Sequence, residues 1–349
     1  MKTKEHNRKL RNIGSGQNIR RLLFGGITIL SLTLFSVPEL KCQYQHFSQF
    51  FAIPLFLGPS FSGEAYGTRI NAVYRNQWPQ IKQGFVTYGF SIDQNISELN
   101  SGIGLQVTRD QRGEVGLNNT NFSLNYSYDI VMRKKLHIRP GLMFAYVMGG
   151  VDYSKLRMRD QIVLATPVTG VRPQYSPHNY PDAALSFLAY TDKYWFGTKI
   201  DHLMRPLQIE GGSTRIPLNY SVYGGILIHF KDRFHNFNNN QIRLAFNLLA
   251  TASFYQMDMG IIGIKRNIEM GFWYRGVPAI KQYSGSDAFI LSLGYIFETF
   301  RIGYSHDFTV SCLNTISNGA DEITITYIFK QAKDANLKKA VQCTRALIK

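Results

Sequence analysis

Seven histidines follow residue 42: His46, His137, His178, His202, His229, His235 and His306. Ser48 stands two residues after His46, the start of a Ser–His arrangement. That chemistry also needs an acid to orient the imidazole and donors for an oxyanion, and the sequence supplies neither beside it. His202 follows Asp201 and His306 precedes Asp307. Neighbours on a strand point to opposite faces, so neither couple makes a dyad by itself. His229 and His235 flank a predicted turn and read as solvated. No two histidines have tight metal-ligand spacing, and there is no GxxxxGK, HExxH or GxSxG. Beyond residue 42 the cysteines are Cys312 and Cys343, in neither a metal nor a redox motif. These residues predict no catalytic, cofactor or metal site, and the functional signal must lie in surfaces.

The elements that carry those surfaces belong to an exported chain. Lys2, Lys4, Arg8, Lys9, Arg11, Arg20 and Arg21 form a basic region, and Leu22 to Val37 an apolar one, short for a membrane helix. Residues 1–42 therefore read as a signal peptide with cleavage after Cys42. A retained anchor is the alternative. Lys41 argues against a lipoprotein cysteine at Cys42. Of the net charge of +16, residues 1–42 hold +6 (eight Lys/Arg, two Asp/Glu) and the last twenty residues +5 (six and one). The 287 residues between carry only +5, which is no nucleic-acid footprint.

From residue 66 onward, short alternating segments recur. Phe122, Leu124, Tyr126 and Tyr128 oppose Asn121, Ser123, Asn125 and Ser127. Val86, Tyr88, Phe90 and Ile92 oppose Thr87, Gly89, Ser91 and Asp93, and Phe289, Leu291, Leu293 and Tyr295 oppose Ile290, Ser292 and Gly294. One face suits lipid and the other water, over lengths that tilted membrane strands need. The segments fall at 66–77, 84–93, 101–110, 117–130, 134–149, 184–191, 194–203, 214–230, 240–252, 256–265, 267–275, 286–297, 299–310 and 322–330. They predict an all-β transmembrane antiparallel β-barrel of about fourteen strands over residues 66–330. A soluble β-sandwich also alternates. The apolar leader, the aromatic faces and the alternation of connection lengths favour the barrel.

Outer-membrane barrels have short periplasmic turns and longer outer loops. Even-numbered connections are mostly brief here, and the odd-numbered ones include Gly150 to Ala183 and Val277 to Asp287. The even-numbered set, with Lys231 to Asn239 its longer exception, is predicted to face the periplasm. It carries Arg133, Lys134, Lys135, Lys193, Lys231, Arg233, Lys265 and Arg266, which would attract acidic protein surfaces or anchor strand ends at headgroups. Residues 331–349 form a basic tail on the same side, either a short helix or a solvated end. Cys312 and Cys343 then lie across the membrane from one another, with no bond between them.

Ahead of the first strand, residues 43–65 form an irregular arm. Pro54 and Pro59 bar it from a central ladder. Phe47, Phe50, Phe51, Phe56 and Phe61 need burial, at the barrel mouth, at its periplasmic rim or against a partner. Trp78, past the first strand, is expected on the other side of the membrane from the arm.

The stretch QHFSQFFAIPLFLGPSFSG followed by YRNQWP resembles the amino-terminal signature of the PorP/SprF family, outer-membrane barrels of the type IX secretion system of Bacteroidota. Gln45, Phe47, Gln49, Pro54, Leu55, Pro59, Phe61, Gly63, Arg75, Gln77 and Trp78 fit the pattern. Gly58 stands where Asn is usual and Phe50 where Tyr is common. The GIG at 102–104 and the YSYDI from Tyr126 also suit the family. The resemblance covers roughly residues 43–329. It implies an outer-membrane subunit whose partners, besides membrane lipids, are periplasmic lipoproteins, ring subunits and the C-terminal sorting domains of secreted adhesins. Gln45, Phe47, Gln49, Phe50, Pro54, Leu55, Pro59, Phe61, Arg75, Gln77 and Trp78 are the candidate partner-binding residues. Composition alone stops at an outer-membrane barrel, and a passive porin or hydrophobic-solute channel and a barrel enzyme remain as rivals.

Overall fold

The computed structural model describes residues 46–65, 67–80, 84–113, 117–132, 136–151, 159–163, 165, 179–207, 213–230, 240–252, 254–276, 288–310 and 318–330. The strands are β1 (Gly67–Gln77), β2 (Phe85–Ile96), β3 (Ser101–Arg112), β4 (Leu117–Tyr128), β5 (Ile130–Met132), β6 (Leu136–Val151), β7 (Asn179–Tyr190) and β8 (Tyr194–Asp201). They continue with β9 (Asn219–Phe230), β10 (Asn240–Thr251), β11 (Phe254–Lys265), β12 (Ile268–Arg275), β13 (Ala288–Phe297), β14 (Phe300–Thr309) and β15 (Ala320–Lys330). Apart from β4 and β5, strands adjacent in sequence pair antiparallel. β1 closes on β15 in register from Gly67↔Lys330 to Gln77↔Ala320. β4 and β5 both pair with β6, so they are two parts of one stave broken at Asp129, and the closed barrel has 14 staves. Closure leaves no unpaired sheet edge, which is what lets strands stand in lipid.

The period-two pattern sorts the faces as the alternation predicts. Tyr88, Phe90, Leu105, Phe122, Leu124, Phe272, Leu291 and Leu293 project outward and are exposed, whereas Ser91, Asp93, Ser123, Asn125 and Ser292 are buried inside. Aromatic residues gather toward both ends of the outer wall. Tyr74, Tyr88, Tyr274, Tyr304 and Phe308 lie toward one end, and Tyr128, Tyr194, Phe297, Tyr327 and Phe329 toward the other. These are the girdles of a membrane-spanning barrel. Among the described residues no helix is long and apolar enough to cross a membrane.

Connections alternate in length. At one end, here the short-turn end, are 97–100, 133–135, 191–193, 266–267 and 298–299, with 231–239 a longer exception. At the long-loop end are 78–84, 113–116, 152–178, 202–218, 276–287 and 310–319, with 252–253 a short exception. Lys193, Lys265 and Arg266 of the expected basic face are exposed at the short-turn end. Arg133, Lys134, Lys135, Lys231 and Arg233, the tail 331–349, the leader 1–42, and Cys312 and Cys343 lie outside the described residues.

Three segments depart most from the sequence reading, and the other boundaries shift by three residues or fewer. The sixth segment starts at Asn179, not 184, and takes in Pro181 opposite Tyr146 in its opening turns of ladder. A proline is tolerated near a strand start, where a lost donor costs least. The eighth starts at Asn219, not 214, and Arg215 instead bridges to Leu207. The fourth is interrupted at Asp129, whose amide donates to the Asn100 carbonyl at 2.7 Å and whose carboxylate takes His137 at 3.1 Å.

The larger correction concerns the arm. It lies neither at the rim nor on the surface. It runs through the lumen from end to end, and it is the core of the molecule. Residues 47–55 and 57–65 are all buried. Pro54 starts a single helical turn, Pro54–Leu57, and Pro59 starts a 3-10 turn, Pro59–Phe61. Both prolines sit at first helical positions, where a missing N–H is harmless. The inner wall matches this occupant. Ile262, Ile264, Ile290, Ile296 and Ile328 point inward and are buried with Phe50, Phe51 and Phe61 of the arm. A water-filled lumen would have left them wet.

Candidate functional site: the arm and its seat

The seat has a polar set toward each end and rings between them. At the long-loop end the arm's own backbone is bound by charge. The amides of Ser48 and Gln49 donate to the two oxygens of Glu322, each at 2.7 Å. The Ser48 hydroxyl donates to Asp307 (Oδ1, 2.7 Å) and accepts from Arg75 Nη1 at 2.6 Å and Arg275 Nη2 at 3.0 Å. Both guanidiniums also reach Asp307 Oδ2, at 2.8 and 2.7 Å, and Arg275 Nε donates to Asp258 at 2.9 Å. Gln49 is held by Thr324 (2.8 Å) and by Arg301, which also pairs with Glu269. All of these wall groups come from the inward faces of β1, β11, β12, β14 and β15. Each of these charges has an oppositely charged partner, the condition under which ions can be buried at all.

A second set grips the arm near the short-turn end. Arg69 is fully buried and donates to Asp93 (2.9 and 3.0 Å), Glu64 (3.1 Å) and the Phe61 carbonyl (3.0 Å). Asp93 also accepts the Gly63 amide at 2.8 Å, and Asn95 donates to the Gly63 carbonyl at 2.7 Å. Arg139 donates to the Ser60 and Ser62 carbonyls, and Ser127 to that of Ser62 at 2.8 Å. An irregular segment in a closed lumen has no ladder to satisfy its backbone, and these side chains take that role. The wall comes close enough to do so because Gly102 and Gly141 lack side chains. A Cβ on either would overlap the backbone of Ser62 or Ser60.

Between the two polar sets lie rings. Phe51 stacks on Trp273 (5.1 Å, 7°) while Phe50 meets the same indole edge-on at 5.0 Å. Phe61 packs against Tyr223 (5.7 Å) and Trp195 (6.2 Å), and Phe47 meets Phe56 edge-on at 5.1 Å beside Ile53 and Val73. Burying each such ring contributes about 1.5–3 kcal/mol.

The residues singled out from sequence thus separate. Phe47, Gln49, Phe50, Pro54, Leu55, Pro59 and Phe61 are brought together in the lumen with Arg75. In this closed form they face the inner wall. Gln77 ends β1 in the ladder opposite Ala320, and Trp78 follows it with its amide on the Gly319 carbonyl (2.8 Å) and its ring on Phe85 (5.1 Å). Gln45 lies outside the described residues. The expectation that arm and Trp78 sit at opposite ends holds only for the arm's close. Its start at Ser48 bonds Arg75, three residues before Trp78. Sequence reasoning missed the wall: Arg69, Asp93, Arg139, Asp258, Glu269, Arg275, Arg301, Asp307 and Glu322. Their signal was charge recurring at inward positions of strands whose other face is aromatic.

The candidate chemistry resolves into structural contacts. The hydroxyl of Ser48 is engaged by Asp307, Arg75 and Arg275. His46 lies against Gln256 and Asp258, with Asp258 at 3.4 Å. Burial, with Arg275 and Arg75 nearby, holds the His46 imidazole neutral, its pKa well below 6.5. His202 bonds Asp182 (2.6 Å) and His306 bonds Asp321 (2.8 Å), cross-strand partners and not the adjacent Asp201 and Asp307. Among the described residues no group of three or more His, Cys, Asp or Glu could hold a metal ion.

No curated protein matches the chain. Among solved structures it is similar to the outer membrane protein Omp33 of Acinetobacter baumannii, at 8% identity and TM-score 0.45, over 77% of this chain and 100% of that one. It is also similar to the monoaromatic hydrocarbon channel CymD, at 9% and 0.42 over 84% and 95%, and to the KdgM porin, at 11% and 0.37 over 75% and 99%. Scores this low carry no argument, and the fold rests on the chain's own strand pairing. The sequence match is broader: residues 39–327 fit the family model described as type IX secretion system membrane protein PorP/SprF. Spanning that model with a closed, aromatic-girdled barrel, the chain belongs to the PorP/SprF family of type IX secretion system membrane proteins and resides in the outer membrane.

Proposed function

We propose that this barrel is the outer-membrane subunit that ties periplasmic lipoprotein and ring components of the secretion machinery to the membrane and supports release or surface attachment of cargo such as adhesins. The observation that carries the reading is the family match over residues 39–327. The filled lumen supports it over a passive porin, because the arm occupies the space that a solute would cross. In the orientation that goes with this reading, the short turns and the exposed Lys193, Lys265 and Arg266 face the periplasm, where acidic partner surfaces would be drawn to them. The test is a crosslinked pull-down from membranes, with partners identified by mass spectrometry, beside a deletion strain assayed for secreted protein. Co-recovery of periplasmic lipoproteins and loss of cargo are expected. A barrel recovered alone, from a strain whose secretion survives its deletion, would overturn the proposal.

A further inference from the structure

The path of the arm has a consequence for which side of the membrane its start faces. β1 begins at Gly67, opposite Lys330, at the short-turn end. The arm that leads into it comes from the other mouth. Ser48 and Gln49 bond Glu322, two residues into β15 from its long-loop end, and Ser48 also bonds Asp307, two residues before the end of β14. His46 lies against Gln256 and Asp258 in the first turns of β11, beside the 252–253 connection at the same end. Ser62 bonds Ser127 and Arg139 at the short-turn end. From His46 to Ser62 the chain therefore descends the whole lumen before β1 climbs back along the wall. An arm that simply led from the periplasm into a first strand would have entered at the short-turn mouth.

We infer that the start of the arm is presented at the mouth ringed by the long connections, which, in the orientation proposed above, is the cell-surface side. A partner that binds that start is then an extracellular or secreted polypeptide, whereas the periplasmic components meet the short-turn end. His46 is the described residue nearest that mouth, and its side chain is 13% exposed.

The test uses single cysteines in a background with Cys42, Cys312 and Cys343 changed to serine, labelled by a membrane-impermeant maleimide in intact and in permeabilised cells. His46→Cys reports the arm. Gln80→Cys reports the long-loop end and Lys193→Cys the short-turn end, and both positions are exposed. An epitope inserted between Gln45 and His46 and read by antibody on intact cells gives a second measurement should His46→Cys assemble poorly. Labelling of His46→Cys and Gln80→Cys in intact cells, with Lys193→Cys labelled only after permeabilisation, is the expected result. If His46→Cys follows Lys193→Cys instead, the inference is wrong while the orientation stands. If Lys193→Cys alone labels in intact cells, the orientation itself is wrong, and presentation at the cell surface falls with it.

Discussion

Arg75 and Glu322 face each other across the seam where the first and last strands close, and their side chains meet at 3.1 Å. The same carboxylate accepts the amides of Ser48 and Gln49, so one buried group ties barrel closure to the seating of the arm. Removing one member of a buried pair strands the other's charge, at a cost of roughly 3–5 kcal/mol. Glu322→Ala should therefore lower the temperature at which the barrel converts from its compact to its unfolded band on semi-native gels, and it should make the arm sensitive to protease. A conversion temperature equal to the wild type's would show that the pair contributes nothing.

Gly141 and Gly263 make a matched contrast. A Cβ at Gly141 would overlap the backbone of Ser60, whereas at Gly263 the nearest atom is 4.0 Å away. Gly141→Ala is expected to displace the 3-10 turn of the arm and destabilise the barrel by about 1–3 kcal/mol, the range for overpacking. Gly263→Ala should stay within about 0.5 kcal/mol of wild type. Urea unfolding in lipid vesicles measures both, and equal effects would contradict the close approach of arm and wall.

The arm is also the seal. In planar bilayers the intact barrel should show little conductance, and a variant lacking residues 46–57 should open steps sensitive to ionic strength, because its lumen would then expose Arg75, Arg275, Asp258 and Asp307 to water. Heat-modifiable migration of the deletion variant confirms that a barrel was present. Unchanged conductance in that variant would mean that something else closes the lumen.

His46 gives the seat a pH dependence of definite sign. Its pKa in the folded chain lies well below the ordinary 6.5, so the proton binds more readily when the arm is released. The contribution of His46 to the arm's protection from protease should be constant above about pH 6.5 and weaken as pH falls below it. His46→Gln should flatten the profile between pH 7 and pH 5, roughly the range in which an unperturbed imidazole titrates. A wild-type profile already flat over that range would remove His46 from the latch.

The sequence by itself determined which strand faces meet lipid. Period-two alternation decides which side chains can meet lipid, so Phe122, Leu124, Leu291 and Leu293 could be assigned outward without coordinates, and turn length ordered the strands into an up-and-down ring. The prolines at 54 and 59 likewise excluded the arm from the ladder, and its phenylalanines demanded burial. Where that burial takes place was decided only by closure. A strand's sequence fixes its inner face but not what fills the space enclosed when β1 meets β15, and that space brings together residues far apart in the chain. Ser48 reaches Asp307, Gln49 reaches Glu322, and Arg139 reaches Ser60. For the same reason Glu322 gains its role only when the arm lies beside it: the Ser48 and Gln49 amides, which no turn of the arm takes up, are satisfied by its carboxylate.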